Sequence, residues 1–463
     1  MENSTIKTNV PRFPFNLIGL LLLTFVIRAG GPLVVPGALA DDPDGYRRLA
    51  ENLVEFGTFG TGAQPTAYRP PLYPLLLVPC VALGKGTAAT VAIAVLHVLL
   101  GLGTVALVWW LGLRCGLGRW AWLAGALVAC DPILLGQSTL VMTETAAAFF
   151  VALALLALTC AVERPSAVRC AAAGAALGLC GLCRPELLLW AVACMIVLPC
   201  VASRRFYRKR HAALVDKPPV APGDNVRKSN VAYHEAVPES HVSDRFLTGA
   251  ARFSFGAAPL LIGMVLVLAP WAIRNQIVFD WPIITTTHGG YTLLLANNPS
   301  FYAYLREGEP GTVWDARGLG PDRGGHAHHD SPREELVDDA MARREAWANI
   351  RRQPAVFAYA CLVRVGRFWA LAPHQGSLLL RWSVGIWYLA EFVLAAAGMA
   401  IGLRRGPLRS GRFWLWGLLL AVSMVAVHAV FWSNMRMRGP LTPVVGLAVA
   451  VSVAWWTDRR RKV

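Results

Sequence analysis

Apolar runs of about 20 residues recur along the chain, separated by short polar links, and this length constrains the fold more than any other feature. A bilayer core takes about 20 helical residues to cross. Inside it every backbone polar group must be satisfied within the chain, which favours helices. Apolar residues make up 55% of the 463 and charged residues only 16%, so an all-α polytopic membrane protein with little soluble mass is expected. The spans read near 14–36, 88–112, 120–136, 144–162, 168–182, 187–202, 253–272, 382–403, 412–432 and 440–456. That predicts about ten transmembrane helices plus interfacial ones. The stretch 71–84 is short for a span, and 355–372 is interrupted by Arg364 and Arg367; both are expected to lie at the interface.

The net charge of +16 is spread over the links rather than gathered into one surface. It reads as an orientation signal, not as a nucleic-acid footprint. Lys7 and Arg12, Arg114 and Arg119, Arg164 and Arg169, the run RRFYRKR, Arg404, Arg405 and Arg409, and the terminal DRRRKV mark one side as cytoplasmic. This leaves 41–70, 137–143, 184–186, 273–381 and 433–439 on the extracytoplasmic face of a plasma (inner) membrane protein. Residues 203–252 are polar, without periodicity, and read as a cytoplasmic linker. They divide an N-terminal membrane module, 1–202, from a C-terminal part, 253–463, with its outer segment 273–381. Ala38-Leu39-Ala40 offers a rival reading as a signal cleavage site, although Arg28 and Pro32 interrupt the apolar run before it.

The polar clusters on the expected outer face carry the chemistry. Asp41, Asp42 and Asp44 stand where the first span emerges, followed by Tyr46 and Glu51, and Tyr68-Arg69-Pro70-Pro71 closes that loop. Thr143-Glu144 precedes an apolar run, Arg184-Pro185-Glu186 splits two others, Arg274-Asn275 ends a span, and Arg436-Met437-Arg438 joins the last two. Each has a plainer explanation. The aspartates and Thr143-Glu144 fit helix capping, and each arginine fits snorkelling to the interface. Arginines on this face run against the usual charge bias. Carboxylates and arginines at a bilayer surface suit sugar transfer from a polyprenyl-phosphate donor: a carboxylate takes the acceptor proton, and guanidiniums hold the departing lipid phosphate.

DPDGYRRLAENL followed by PTAYRPPLYPLLL resembles the first outer loop of the C-type (GT-C) membrane glycosyltransferases, in the branch of the protein O-mannosyltransferases and lipid A aminoarabinose transferases. LVMTETAAAFF, LCRPELLL, LAPWAIRNQIVFDWPIITTTHGGYTLLLANNP and MRMRGPLTPVVGLA are similar to four further motifs of that family, in the family's order. The resemblance covers about 1–200, 255–300 and 430–456. It implies a GT-C-like fold and transfer of a hexosyl or pentosyl group from a polyprenyl-phosphate-linked sugar to a hydroxyl or phosphate of a lipid, glycan or protein acceptor. It implies Asp42 as the first-loop catalytic carboxylate, with Asp44 sharing or replacing it, and Glu144 as the second-loop acid. Arg69, Arg274, Arg436 and Arg438 would hold the donor phosphate, and Tyr46, Tyr68, Asn275, His288 and Asn297 would contact substrate. The family pattern has Asp-Glu where this chain has Asp-Pro-Asp, and the linker 203–252 is longer and more polar than expected.

No residue is assigned as a metal ligand, and no cofactor is required, with a divalent metal left open. His326, His328, His329 and Asp330 lack the rigid frame a metal site needs. Cys180 and Cys183 form a CxxC inside an apolar run, where packing is the expected role. EELVDDAMARREAWANI reads as an exposed helix with opposite charges at helical spacing. Two other functions compete: a ligase using a diphosphate-linked donor, and a transporter or flippase built around His97, Glu391 and His428 within spans.

Overall fold

A computed structural model describes residues 15–35, 37–198, 240–308, 314, 316–319, 331–405 and 411–460. Helix α1, Phe15–Val34, leads through a polar link into α2, Tyr46–Phe56, a two-residue hairpin, Gly60–Thr61 with Gln64–Pro65, and α3, Leu72–Ala82. There follow α4, Thr87–Arg114; α5, Ala121–Cys130; α6, Pro132–Ser138; α7, Glu144–Glu163; α8, Ala167–Cys183; and α9, Leu187–Leu198. After α10, Ser240–Phe279, come four helices outside the long apolar set: α11, Gly289–Ala296; α12, Pro299–Glu307; α13, Pro332–Arg352; and α14, Pro354–Phe368. The chain closes with α15, Leu378–Arg405; α16, Gly411–Val430; and α17, Thr442–Arg460.

Among the described residues, α1, α4, α7, α10, α15, α16 and α17 each carry a stretch long and apolar enough to cross a membrane, making seven. Helices α5 and α6 make an eighth if the pair, bent by 47°, is one span. The chain is therefore an all-α, multi-pass membrane protein. The expected count of about ten is not reached by length and composition: α8 and α9, which cover two of the expected spans, are shorter apolar helices. The α5–α6 bend has a local cause. Pro132 takes the first position of α6, and Asp131 caps it by accepting a hydrogen bond from the Leu134 N–H at 2.8 Å.

Helix α8 makes up in contact what it lacks in length. A Cβ on Gly174 would stand 1.8 Å from the Leu260 carbonyl oxygen, and one on Gly263 would stand 1.9 Å from that of Ala171. Helices α8 and α10 thus meet backbone to backbone, the close approach that small residues allow where lipid gives no hydrophobic drive. Within α7, a run of buried alanines and leucines fills the centre of the bundle. Arg28, which interrupts α1, is buried and donates to the Val128 carbonyl at 2.8 Å. Arg364 in α14 is fully buried and donates to the carbonyls of Ala429 (2.7 Å) and Ala296 (2.6 Å). Both satisfy backbone acceptors that a bilayer would leave stranded.

Because the long helices alternate in direction, the start of α7, the end of α8, the end of α16 and the turn before α17 fall at one end of the bundle. Candidate clusters named from the sequence lie there. Of the expected linker 203–252, residues 203–239 lie outside the described residues, and from Ser240 the chain is helical.

Candidate active site

At this end a cavity of about 640 Å³ is walled by Asp44 and Tyr46 from the first loop and α2, by Arg69, by Glu144 of α7, by Arg184 and Glu186 from the α8–α9 turn, by His288 and Tyr291 around the start of α11, and by Arg436. Sequence reading named most of these one loop at a time; the fold brings them into one chamber.

Two charge clusters face each other. On one side the Asp44 Oδ1 sits 3.1 Å from the Arg69 Nη2, and the Arg69 guanidinium lies against the rings of Tyr46 (5.7 Å) and Tyr68 (5.2 Å). Its Nη1 is 3.4 Å from the His288 Nε2. A guanidinium only donates, so Nε2 accepts and the ring proton sits on Nδ1, a buried donor with no partner in the protein. Burial, with Arg69 beside it, pushes the His288 imidazolium well below its usual range and keeps the ring neutral. Burial likewise pushes the Tyr46 and Tyr68 phenols up, so both stay protonated.

On the other side one carboxylate serves two arginines. Glu144 Oε1 lies 3.2 Å from Arg184 Nη1 and 3.8 Å from Arg436 Nη1, while Oε2 is buried without a hydrogen-bond partner. Arg184 also pairs with Glu186 at 2.5 Å. Burial opposes ionisation of Glu186, but Arg184 holds its carboxyl below the ordinary range. The remaining guanidinium contacts fall on thioethers, Arg184 Nη2 on the Met437 sulfur (2.9 Å) and Arg436 Nη1 on that of Met142 (3.8 Å). Sulfur is a weak acceptor, so these donors are underused. They are a ready cradle for an anion.

The other candidates sit behind the wall. Asp42 is drawn into the start of α2, where its Oδ2 accepts the Arg48 N–H at 3.0 Å, and its Oδ1 is buried without a partner. Burial raises its carboxyl above the usual range despite the N–H groups of Arg48, Arg47 and Tyr46. It is one residue from the cavity, which Pro43 lines. Tyr68 meets the His288 ring edge-on at 4.4 Å between centroids. Arg274 does not line the cavity and donates to the carbonyls of Thr66 (2.9 Å) and Phe59 (3.0 Å). Asn275 is buried and donates to the Ile283 carbonyl. Asn297 holds the Leu293 and Val430 carbonyls together. Arg438 is buried, donates to the carbonyls of Phe368 (2.8 Å) and Ala370 (2.6 Å), and stacks 4.2 Å over Tyr388.

Tyr291 and His428 also line the cavity. Tyr291 gave no sequence signal beyond its place near His288, and His428 read as a midspan polar residue. Among the described residues no group of three or more His, Cys, Asp or Glu side chains could hold a metal ion; His326, His328, His329 and Asp330 lie outside them.

Residues 68–216 match the model of a family described as dolichyl-phosphate-mannose-protein mannosyltransferase, so the resemblance read from the motifs holds over that third of the chain. No curated protein matches the sequence. Among solved structures, the Archaeoglobus fulgidus oligosaccharyltransferase tethered to an acceptor peptide superposes at a TM-score of 0.48 and 15% identity, over 96% of this chain and 50% of its own. The chain thus spans half the length of that enzyme. ArnT from Cupriavidus metallidurans bound to undecaprenyl phosphate gives a TM-score of 0.34 at 12% identity, over 96% of this chain and 78% of its own. Neither superposition reaches a TM-score of 0.5.

Proposed function

We propose that this chain is a membrane glycosyltransferase that moves a sugar from a polyprenyl-phosphate donor to an acceptor hydroxyl or phosphate, with the cavity on the extracytoplasmic side of the plasma membrane. The carrying observation is the pair of arginines, Arg184 and Arg436, held by one buried carboxylate at the end of the membrane helices, their spare donors resting on methionine sulfur. Such donors exchange a poor acceptor for a phosphate oxygen without moving far. The family match over 68–216 supports the same reading.

The chemistry follows from the charges. As the bond from the anomeric carbon to phosphate oxygen breaks, negative charge grows on the phosphate, and fixed guanidiniums stabilise it without reorganising. The leaving group departs as an anion and needs no general acid. The acceptor hydroxyl must lose a proton, and we assign that task to Asp42 rather than Asp44, which requires the loop to turn at Pro43 and bring the Asp42 carboxylate the one residue into the cavity. Asp44 is already neutralised by Arg69, whereas burial raises the proton affinity of Asp42 and leaves its Oδ1 unpartnered. Asp44 then orients Arg69, and the His288 Nδ1–H is a spare donor for the sugar or the acceptor. The prenyl tail stays in the bilayer, which accounts for a cavity at the helix ends.

The experiment is transfer in proteoliposomes from radiolabelled polyprenyl-monophosphate sugars, run beside a diphosphate-linked donor. Label should pass from a monophosphate donor to a water-soluble or lipid acceptor. Transfer from the diphosphate donor alone would replace this reading by the ligase, and movement of intact donor across the bilayer without cleavage would replace it by a flippase.

A further inference from the structure

The segments that bring Arg69 and His288 to the cavity run side by side. The Thr287 N–H donates to the Ala67 carbonyl at 3.0 Å, and the Thr286 hydroxyl donates to the Tyr68 carbonyl. Where they join, a single carboxylate from outside both is inserted. Glu335, in the first turn of α13, is 3% exposed. Its Oε2 accepts from the Thr66 hydroxyl at 2.7 Å, and its Oε1 accepts from the Ala67 N–H at 2.9 Å and from the Thr287 hydroxyl. Arg69 follows Ala67 by two residues and His288 follows Thr287 by one, so Glu335 ties down the root of each arm.

The seat of α13 is specific. Its first turn is capped by Ser331, whose side chain accepts the Glu334 N–H. One turn on from Glu335, Asp339 Oδ1 accepts the Gly290 N–H at 2.5 Å, and a Cβ on Gly290 would stand 2.0 Å from the Asp339 carbonyl oxygen. Glycine is required there for α13 to come close enough for Glu335 to reach. The charge pattern of α13 reads as a solvated helix, yet this one carboxylate is buried and fully engaged. A buried carboxylate without such donors would be strongly disfavoured.

We propose that Glu335 is a positioning residue, whose carboxylate sets Arg69 and His288 against one another in the cavity. It acts through hydrogen-bond geometry rather than by taking a proton, and its effect on turnover rests on the glycosyltransferase reading above. Glutamine should therefore replace it. The amide oxygen can accept from Ala67 and Thr287, and the amide nitrogen can donate to the Thr66 hydroxyl oxygen.

The test uses the full chain in nanodiscs and has two arms. In the first, Arg69→Cys with His288→Cys is treated with a short bifunctional thiol reagent, against a single-cysteine control. Cross-linking should fall about tenfold when Glu335→Ala is added and should return with Glu335→Gln, since loss of the anchor frees both arms. In the second, transfer is measured for Glu335→Ala, Arg69→Ala and the double variant. Glu335→Ala should lower kcat by about 10–100-fold, Glu335→Gln by less than about threefold, and Glu335→Ala should cost little more in the Arg69→Ala background. Unchanged cross-linking in Glu335→Ala overturns the proposal. So does full additivity with Arg69→Ala, which would mean general damage, or a Glu335→Gln variant as dead as the alanine, which would mean a proton-transfer role. If the wild-type protein transfers no sugar, the function proposed above fails, and the cross-linking arm still decides the role of Glu335.

Discussion

Replacing Glu144 by glutamine should tighten donor binding and slow the enzyme. Glu144 is 1% exposed and holds two guanidiniums, at 3.2 and 3.8 Å. Unit charges about 4 Å apart at an effective dielectric of about 20 interact by roughly 4 kcal/mol. Removing the carboxylate frees attraction of that order for an incoming phosphate. Two features discount it: Arg184 keeps Glu186, and the Arg436 side chain is 31% exposed and partly screened. About a third of the full value, ~1.4 kcal/mol, corresponds to a tenfold fall in Kd. Stability should drop by roughly 1–3 kcal/mol, less than is usual for a stranded buried charge, because Arg184 keeps one partner. Turnover should fall because the product phosphate, which carries the most charge, is held tightest of all, so that its release becomes the limiting step. The assay titrates undecaprenyl phosphate into nanodisc-embedded wild-type and Glu144→Gln protein and follows the thermal shift alongside turnover. Unchanged or weaker binding in Glu144→Gln would show that Arg184 and Arg436 do not meet the phosphate, and the cradle would be wrong.

Asp42→Asn should abolish transfer with insertion intact, and Asp44→Asn should weaken it less by loosening Arg69; the reverse order in a turnover assay would move the base two residues along the loop. If Asp42 is the base, activity should fall as the pH drops through its raised pKa, so the acid limb of the kcat/KM profile should lie above the ordinary aspartate value. Arg436→Lys should lose on the order of 10²–10³ in rate with little change in melting. Arg438→Lys should instead cost about 1–2 kcal/mol of stability through lost stacking on Tyr388 and leave donor Kd nearly unchanged, as a denaturation curve and a binding titration would show. A cysteine at Gln64 should react with an impermeant reagent in intact cells, and one at Arg119 should not; the opposite pattern would place the cavity on the cytoplasmic side.

The fold class was legible because bilayer thickness sets a length that apolar runs must match, and such runs are visible without knowing what they touch. The number of crossings was less legible. Helices α8 and α9 are shorter than a plain span, and what places α8 is backbone contact at Gly174 and Gly263, a matter of which helix lies beside it. The pair α5–α6 reads as one run, yet Asp131 and Pro132 break it. Short-range rules forecast such a cap but not that the chain would use it in mid-run.

The arginines separate what local sequence carries from what only packing decides. Arg436 and Arg438 are two residues apart in one motif, and both read as phosphate ligands or as snorkelling side chains. In the folded chain Asn434 accepts the Arg436 N–H and starts a 3₁₀ turn over Met435–Leu441. With about three residues per turn, residues two apart cannot share a face. Arg436 therefore meets Glu144, while Arg438 turns to the carbonyls of Phe368 and Ala370 at the end of α14. Arg274 has a similar position, spent on the backbone that carries Arg69 toward the cavity. Arg184 was visible only as half of a turn until Glu144, forty residues earlier, came opposite it. A guanidinium is suited to both tasks, fixing carbonyls and holding phosphate, for the same reason: several rigid donors and a charge that persists. Residue type therefore could not distinguish the arginines that build the cavity from those that face it. The acceptors each one meets do.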